Sequence, residues 1–275
     1  MSYRSLKDLE MRVARLERVS KVSFQKDLKN IKDDEVRGFE AVFKQIRDYK
    51  LFGAPEPNLD YNLLADGVNH RSNYETPRSA FYPTNYTSFD DWFLRDLTPN
   101  TLRRCKGKAR FSDVCSPVQG KVRKKVFSGE ITLKKSVIEV DNLLGLLGGD
   151  DLIQITLLKG DYHHVHSPVD GEVLEIISYE EGGLFPDSEA LWIVKILTDF
   201  GVVKVVCIGE WTVQSFISEV SVGQWLSKLD KLGHFYFGSQ VLLSLPSDLD
   251  FLLDRDAQSR VFLGDPLAQS IRVEF

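Results

Sequence analysis

Three cysteines in 275 residues are too few for a disulfide framework. Cys105, Cys115 and Cys207 are widely spaced and form no Cys-x-x-Cys pair of the kind that holds a metal. An odd, scattered set of thiols fits a reducing, cytoplasmic setting. No stretch approaches the roughly 18 apolar residues that a bilayer-spanning helix needs. The opening Met-Ser-Tyr-Arg-Ser-Leu-Lys-Asp has no apolar core, so no signal segment is expected there. Positive charge is also in deficit: 35 Lys and Arg against 40 Asp and Glu leave a net charge of −5. The basic clusters at 103–110 and 121–125 are short and diluted by acids, and read as solvated faces rather than a nucleic-acid footprint. What remains is 43% apolar, ordinary for a globular chain with one sizeable core and an appended segment.

The appended segment is expected at the N-terminus. Leu6, Leu9, Val13 and Leu16 form a short a/d seam, and Phe39, Val42, Phe43, Ile46 and Tyr49 share one face of a second helix. Two heptads are marginal alone, so the first seam needs a partner, either this chain or another copy. Residues 53–88 are rich in Pro, Asn, Gly and Tyr and read as a loop or linker. Ser88 and Asp91 match the capping of a short helix that carries Phe89, Trp92, Phe93 and Leu97. From about 109 the pattern changes to short strands, expected at 151–159, 172–178, 191–198, 202–208, 211–218, 235–245 and 260–263. A short helix is expected at 141–147. The predicted fold is α+β: a helical segment over 1–75, then a mostly antiparallel β sandwich or barrel-like domain over 76–275.

One seven-residue signature occurs twice, matching at five positions. Ser116-Pro-Val-Gln-Gly-Lys-Val122 and Ser167-Pro-Val-Asp-Gly-Glu-Val173 each place a Pro and a polar-Gly turn before a strand. Only two copies occur, so they predict a pseudo-twofold pair of hairpins rather than a repeat array. Just before the second copy, three of the five histidines fall within Tyr162-His163-His164-Val165-His166. His164 and His166 would share a strand face, as two metal ligands do, but no third ligand is apparent and no metal site is assigned. A structural turn is the other local reading. Further on, Gly238-Ser239 interrupts an apolar stretch, which by itself indicates a bulge or a close backbone approach.

Taken in order, Cys115-Ser-Pro-Val-Gln-Gly120, Tyr162-His-His-Val-His-Ser-Pro-Val-Asp-Gly171 and Gly238-Ser239 resemble the phosphatidylserine decarboxylase family. Phe89-Asp-Asp-Trp-Phe-Leu-Arg95 and Gly264-Asp-Pro-Leu267 extend the resemblance over most of the chain. It implies that the Ser239 hydroxyl attacks the Gly238 carbonyl, with His166 as the base that a weak serine nucleophile requires. The chain is then cut, and Ser239 becomes a pyruvoyl group, an electron sink for decarboxylation. His163 matches a second histidine of the decarboxylation site. Gly238 leaves its carbonyl unhindered.

Two positions depart from the family pattern. Gln119 stands where an Asp orients the base, and Gln240 stands where Thr follows the cleaved serine. In Ser-His-Asp hydrolases Asp→Asn costs roughly 10⁴ in rate, so a chain largely uncleaved during purification is expected. The resemblance implies a phospholipid or amino-acid substrate. The alternative is a non-catalytic assembly protein that oligomerises or docks through residues 1–20. A cytoplasmic location is expected, either peripheral to a membrane or within a larger assembly.

Overall fold

The computed structural model describes residues 45–46, 56, 59, 61–62, 78–82, 85–126, 130–132, 137–139, 147, 151–158, 160–179, 190–209, 216–235, 240–247, 249–252 and 260–270. The seam at 6–16 lies outside them. So does the expected helix at 141–147, except Leu147, which is helical. The chain divides into two compact units, one of residues 1–75 and 85–92 and one of 76–84 and 93–275.

In the first unit, the Glu56 carboxylate accepts from the Tyr61 hydroxyl (3.1 Å) and from the Phe89 amide (3.2 Å). The Asn62 amide group exchanges two hydrogen bonds with the Tyr86 backbone, at 3.1 and 3.0 Å. The capping box is present: the Asp91 amide donates to Ser88 Oγ (3.1 Å), and the Ser88 amide donates back to Asp91 Oδ2 (3.1 Å). The helix it starts is only Phe89–Phe93. The expectation of helix through Leu97 fails because Asp96–Leu97 pairs antiparallel with Phe81–Tyr82.

The second unit is built almost wholly from antiparallel strands. Its largest sheet has eight strands: Trp225–Leu226, Gly171–Tyr179, Leu191–Thr198, Gly201–Ile208, Gln240–Leu245, Asp151–Thr156, Gly120–Val126 and Arg260–Val261, in that spatial order. The central strands are Val/Ile/Leu-rich and fully buried, as in Gln240–Leu245 and most of Gly201–Ile208. Two three-stranded sheets accompany it. One runs Phe216–Ser218, Lys231–Phe235, His164–His166, and the other runs Leu249–Phe251, Pro266–Ser270, Val114–Cys115. Of the expected strand over 235–245, Gln240–Leu245 lies in the large sheet, while Phe235 ends the strand Lys231–Phe235 of a three-stranded sheet.

The Ser-Pro-Val turns are hydrogen-bonded to each other. The Cys115 amide donates to the Pro168 carbonyl and the His166 amide to the Pro117 carbonyl, both at 2.9 Å. Ser116 Oγ bonds the Val118 carbonyl and Ser167 Oγ the Val169 carbonyl, both at 2.7 Å. The Ser116 amide meets the Asp265 carbonyl and the Ser167 amide the Asp230 carbonyl. The basic cluster at 103–110 lies on a helix missed in the sequence, Pro99–Ala109, capped by Thr98 with Pro at its start. Ala109 is buried beside Leu97, Cys115, Tyr162, Leu229 and Leu263.

Candidate active site

The histidine segment is pinned before it begins. The Arg95 guanidinium donates to the carbonyls of Gly160 (2.5 Å) and Asp161 (3.2 Å). The Asp161 carboxylate, fully buried, accepts the Leu158 amide (2.6 Å) and pairs with Arg260. Burial pushes the Asp161 carboxyl up to about 6 against the opposing pull of Arg260. These anchors fix the chain one residue ahead of Tyr162, and nothing in the sequence pattern marked Asp161 or Arg95 for that task.

Tyr162, His163, His164 and His166 are all buried. The His163 ring stacks on Phe93, with centroids 3.8 Å apart. Tyr162 stacks on His164 at 5.0 Å and reaches His166 with its hydroxyl. His166 Nδ1 lies 2.7 Å from the Leu229 carbonyl, which can only accept, so Nδ1 carries the proton. His166 Nε2 then holds a lone pair and accepts from the Tyr162 hydroxyl at 3.1 Å. Burial holds the Tyr162 phenol well above its ordinary value, so it stays a donor. Burial also lowers His166 to about 4, outweighing the opposite effect of the Leu229 bond. The result is a neutral imidazole of defined tautomer, which is a base and not an acid near neutrality.

Leu229 holds this carbonyl in place with φ of 67°, an unusual backbone for a branched side chain. Its side chain is buried, which over-determines the conformation. Gly264, with φ of 81°, precedes Asp265 as Leu229 precedes Asp230. A left-handed Leu whose carbonyl orients a histidine is a signal that no sequence pattern here carried.

Gln119 makes neither of these two hydrogen bonds to His166. It is buried, and its Nε2 has no partner among the described residues. Gln240 is likewise buried with Oε1 unpartnered. Thr156 pairs with Gln240 on one side and, on the other, with Lys121, which stands two residues after Gln119. Gly238 and Ser239 lie outside the described residues. The strands on either side are described: the Phe235 amide donates to the His163 carbonyl at 3.0 Å, and Gln240 pairs with Thr156.

A cavity of about 390 Å³ opens beside Tyr162 and His166. Its polar lining includes Asp96, Lys106, Asp230 and Lys231. Lys231 pairs with Asp96, and Lys106 lies 3.5 Å from Asp230. Cys115 is outside this chemistry, since burial pushes its thiol up to about 12. No helix among the described residues is long and apolar enough to cross a membrane.

The His166 shift carries a stability prediction. Its folded value lies below the ordinary 6.5, so its contribution is complete above about 6.5 and is lost as pH falls toward 4. Wild type minus His166→Asn should shrink by roughly 3 kcal/mol over that interval in metal-free buffer, measured by urea unfolding. The subtraction removes groups such as Asp161, whose raised carboxyl titrates in the opposite sense. A pH-independent difference would mean that His166 is solvated.

A family model described as phosphatidylserine decarboxylase matches residues 89–269. A phosphatidylserine decarboxylase proenzyme of Saccharophagus degradans is 27% identical over 231 residues, covering 68% of this chain and 79% of the relative. One from Legionella pneumophila is 26% identical over 229 residues, with the same coverage of 68% and 79%. Phosphatidylserine decarboxylase proenzyme 3 of Schizosaccharomyces pombe is 26% identical over 248 residues, 76% of this chain but 25% of the relative. The non-catalytic assembly alternative gains no support from these likenesses over the decarboxylase one.

Proposed function

The chain belongs to the phosphatidylserine decarboxylase family, and we propose that it is a self-cleaving, pyruvoyl-dependent decarboxylase of a phospholipid serine head group or an amino acid. The single observation that carries this reading is the His166 tautomer: Nδ1–H is tied to the Leu229 carbonyl, and a basic Nε2 is kept neutral by burial. That is the state a general base must occupy before it takes a proton. In this reading His166 removes the Ser239 proton as Oγ attacks the Gly238 carbonyl, and the peptide becomes an ester. The Leu229 carbonyl dipole does part of what a carboxylate does, orienting the ring without supplying a full charge to the imidazolium.

A pyruvoyl group at residue 239 supplies a ketone that takes up electrons as carbon dioxide leaves. The surroundings suit it. The cavity beside His166 offers two ammonium groups for a substrate carboxylate or phosphate and two carboxylates for an amine. His163, held flat against Phe93, would border the decarboxylation site.

Two further readings accompany it. The matched hydrogen bonds of the Ser116 and Ser167 turns support a pseudo-twofold duplication, as does the equal pairing of Trp225–Leu226 with Gly171–Glu172 and of Arg260–Val261 with Gly120–Lys121. The Leu6 to Leu16 seam supports a helical segment over 1–75 that contacts another copy, a protein partner or a membrane surface, with the β-rich domain over 76–275.

The test is intact mass. Freshly purified wild type should be one chain, and over days it should yield a large fragment ending at Gly238 and a small one blocked at its N-terminus. His166→Ala and Ser239→Ala should remain whole for the same period. Cleavage of His166→Ala at the wild-type rate would remove His166 from the mechanism. A wild type that stays whole indefinitely would remove self-processing altogether.

A further inference from the structure

Strand pairing brings together three ligating side chains that are far apart in sequence. His164 and His234 are direct cross-strand partners, so they lie on one face of the three-stranded sheet. Ile217 is the partner of His234 on the other side, and Glu219 follows it by two residues, so the alternation of a strand returns Glu219 to that same face. The ladder persists to this point, because the Glu219 amide donates to the Leu232 carbonyl at 2.8 Å. Between them, Gly233 lets the two strands approach: a Cβ there would lie 2.1 Å from the Ile217 carbonyl oxygen. One nitrogen from each histidine and one carboxylate oxygen of Glu219 lie within 4.8 Å of one another.

We propose that His164, His234 and Glu219 form a binding site for a divalent transition metal of the zinc class. Two imidazoles and one carboxylate are a donor set that zinc accepts, leaving a fourth position open to water. Ligand atoms around tetrahedral zinc sit roughly 3.3 Å apart, given bonds of about 2.0–2.1 Å. Closing from 4.8 Å therefore needs only side-chain adjustment.

The state of each group agrees with this role. His164 Nε2 lies 3.0 Å from the Leu94 carbonyl, so Nε2 carries the proton and Nδ1 the lone pair. A ligating histidine commonly donates its second N–H in this way. That Nδ1 is buried and has no hydrogen-bond partner, in a side chain 7% exposed. Such an atom is costly unless something binds it. His234 Nδ1 and Glu219 Oε1 lie 2.7 Å apart, where a proton now joins them and a cation would replace it. Burial keeps His164 on the neutral side, the form that binds metal. Lys231 is the neighbouring cation, but it is paired with Asp96, whose carboxylate also lies 3.9 Å from His164 Nε2. The local charge facing an incoming ion is therefore set by Glu219.

The site is separate from the lone pair of His166. It adjoins the candidate active site through Tyr162, which stacks on His164 and bonds His166, and through Asp96, which lies 3.9 Å from His164 Nε2 and lines the cavity. Metal uptake thus does not depend on cleavage at Gly238–Ser239, and its test can run on Ser239→Ala protein.

Titration with zinc sulfate at neutral pH, followed by calorimetry, should give one ion per chain. Zinc should also raise the unfolding temperature, since it binds only the folded ligand set. Cobalt(II) should give the intense visible bands of a four-coordinate site. His234→Ala and Glu219→Gln change residues at the accessible side of the cluster, and each should weaken zinc by roughly a hundredfold. Calcium and magnesium should not compete, because they take oxygen ligands. Failure of the folded wild type to take up zinc or cobalt would overturn the proposal. So would undiminished binding in both variants, or equal binding of calcium.

Discussion

Gln119→Asp should speed self-cleavage, by up to roughly 10⁴-fold if the new carboxylate reaches the imidazole. A process of about a week would then finish within minutes. The physical reason is charge. In the proposed mechanism His166 takes the serine proton and becomes an imidazolium in a fully buried setting that already holds it at about 4. The Leu229 carbonyl offers a dipole at 2.7 Å, not a counter-charge. A carboxylate at 119 would stabilise the developing cation and raise the value of His166. The full gain needs more than charge, because Gln240 adjoins Ser239 in the chain. A small misplacement of a nucleophile can cost about 10²-fold. The double change Gln119→Asp with Gln240→Thr should therefore exceed the single one. The time course of intact mass reads both, and hydroxylamine should trap the ester. No acceleration in the double variant would show that residue 119 does not address His166. Prompt cleavage of the wild type would show that the Leu229 carbonyl suffices alone.

The β-rich class and most central strands are legible in the sequence. Alternation and β-branched runs survive in a sequence because strands buried in a large sheet must carry them, as Leu191–Thr198 and Gly201–Ile208 do. The cap at Ser88 was legible for the same local reason. What was not legible depends on pairing between distant segments. Within the apolar stretch 231–245, Lys231–Phe235 and Gln240–Leu245 join different sheets. His234 and Glu219 stand far from His164 in the sequence and meet it only through strand pairing. The orienting group of His166 was sought at Gln119 because side chains are visible in a sequence, whereas the Leu229 carbonyl is not. The helix Pro99–Ala109 is masked in the sequence by its run of basic residues and few apolar ones, although Thr98-Pro99 is an ordinary start signal.

Tyr162 offers the sharpest separation of packing from chemistry. Tyr162→Ala removes a ring that is 1% exposed, stacks on His164 and belongs to the core beside Phe81, Leu97 and Leu229. Loss of a large buried ring costs about 3–5 kcal/mol, so this variant should unfold at markedly lower urea concentration. Tyr162→Phe keeps the ring and deletes only the hydroxyl. His166 Nε2 then loses its donor inside the protein, which costs about 1–3 kcal/mol. The same deletion has the opposite effect on reactivity. In the wild type the phenol occupies the lone pair that receives the Ser239 proton in the proposed mechanism, and that bond has to break before the base can act. Removing a bond of about 1 kcal/mol should raise the cleavage rate roughly fivefold in Tyr162→Phe, against a less stable fold. The Leu229 carbonyl still holds the other nitrogen, so the ring keeps its orientation. Urea midpoints and the intact-mass time course, measured on the same preparations, separate the two effects. A Phe variant that is both less stable and slower would mean that the phenol carries the proton from Ser239 to His166, making Tyr162 a relay rather than a competitor.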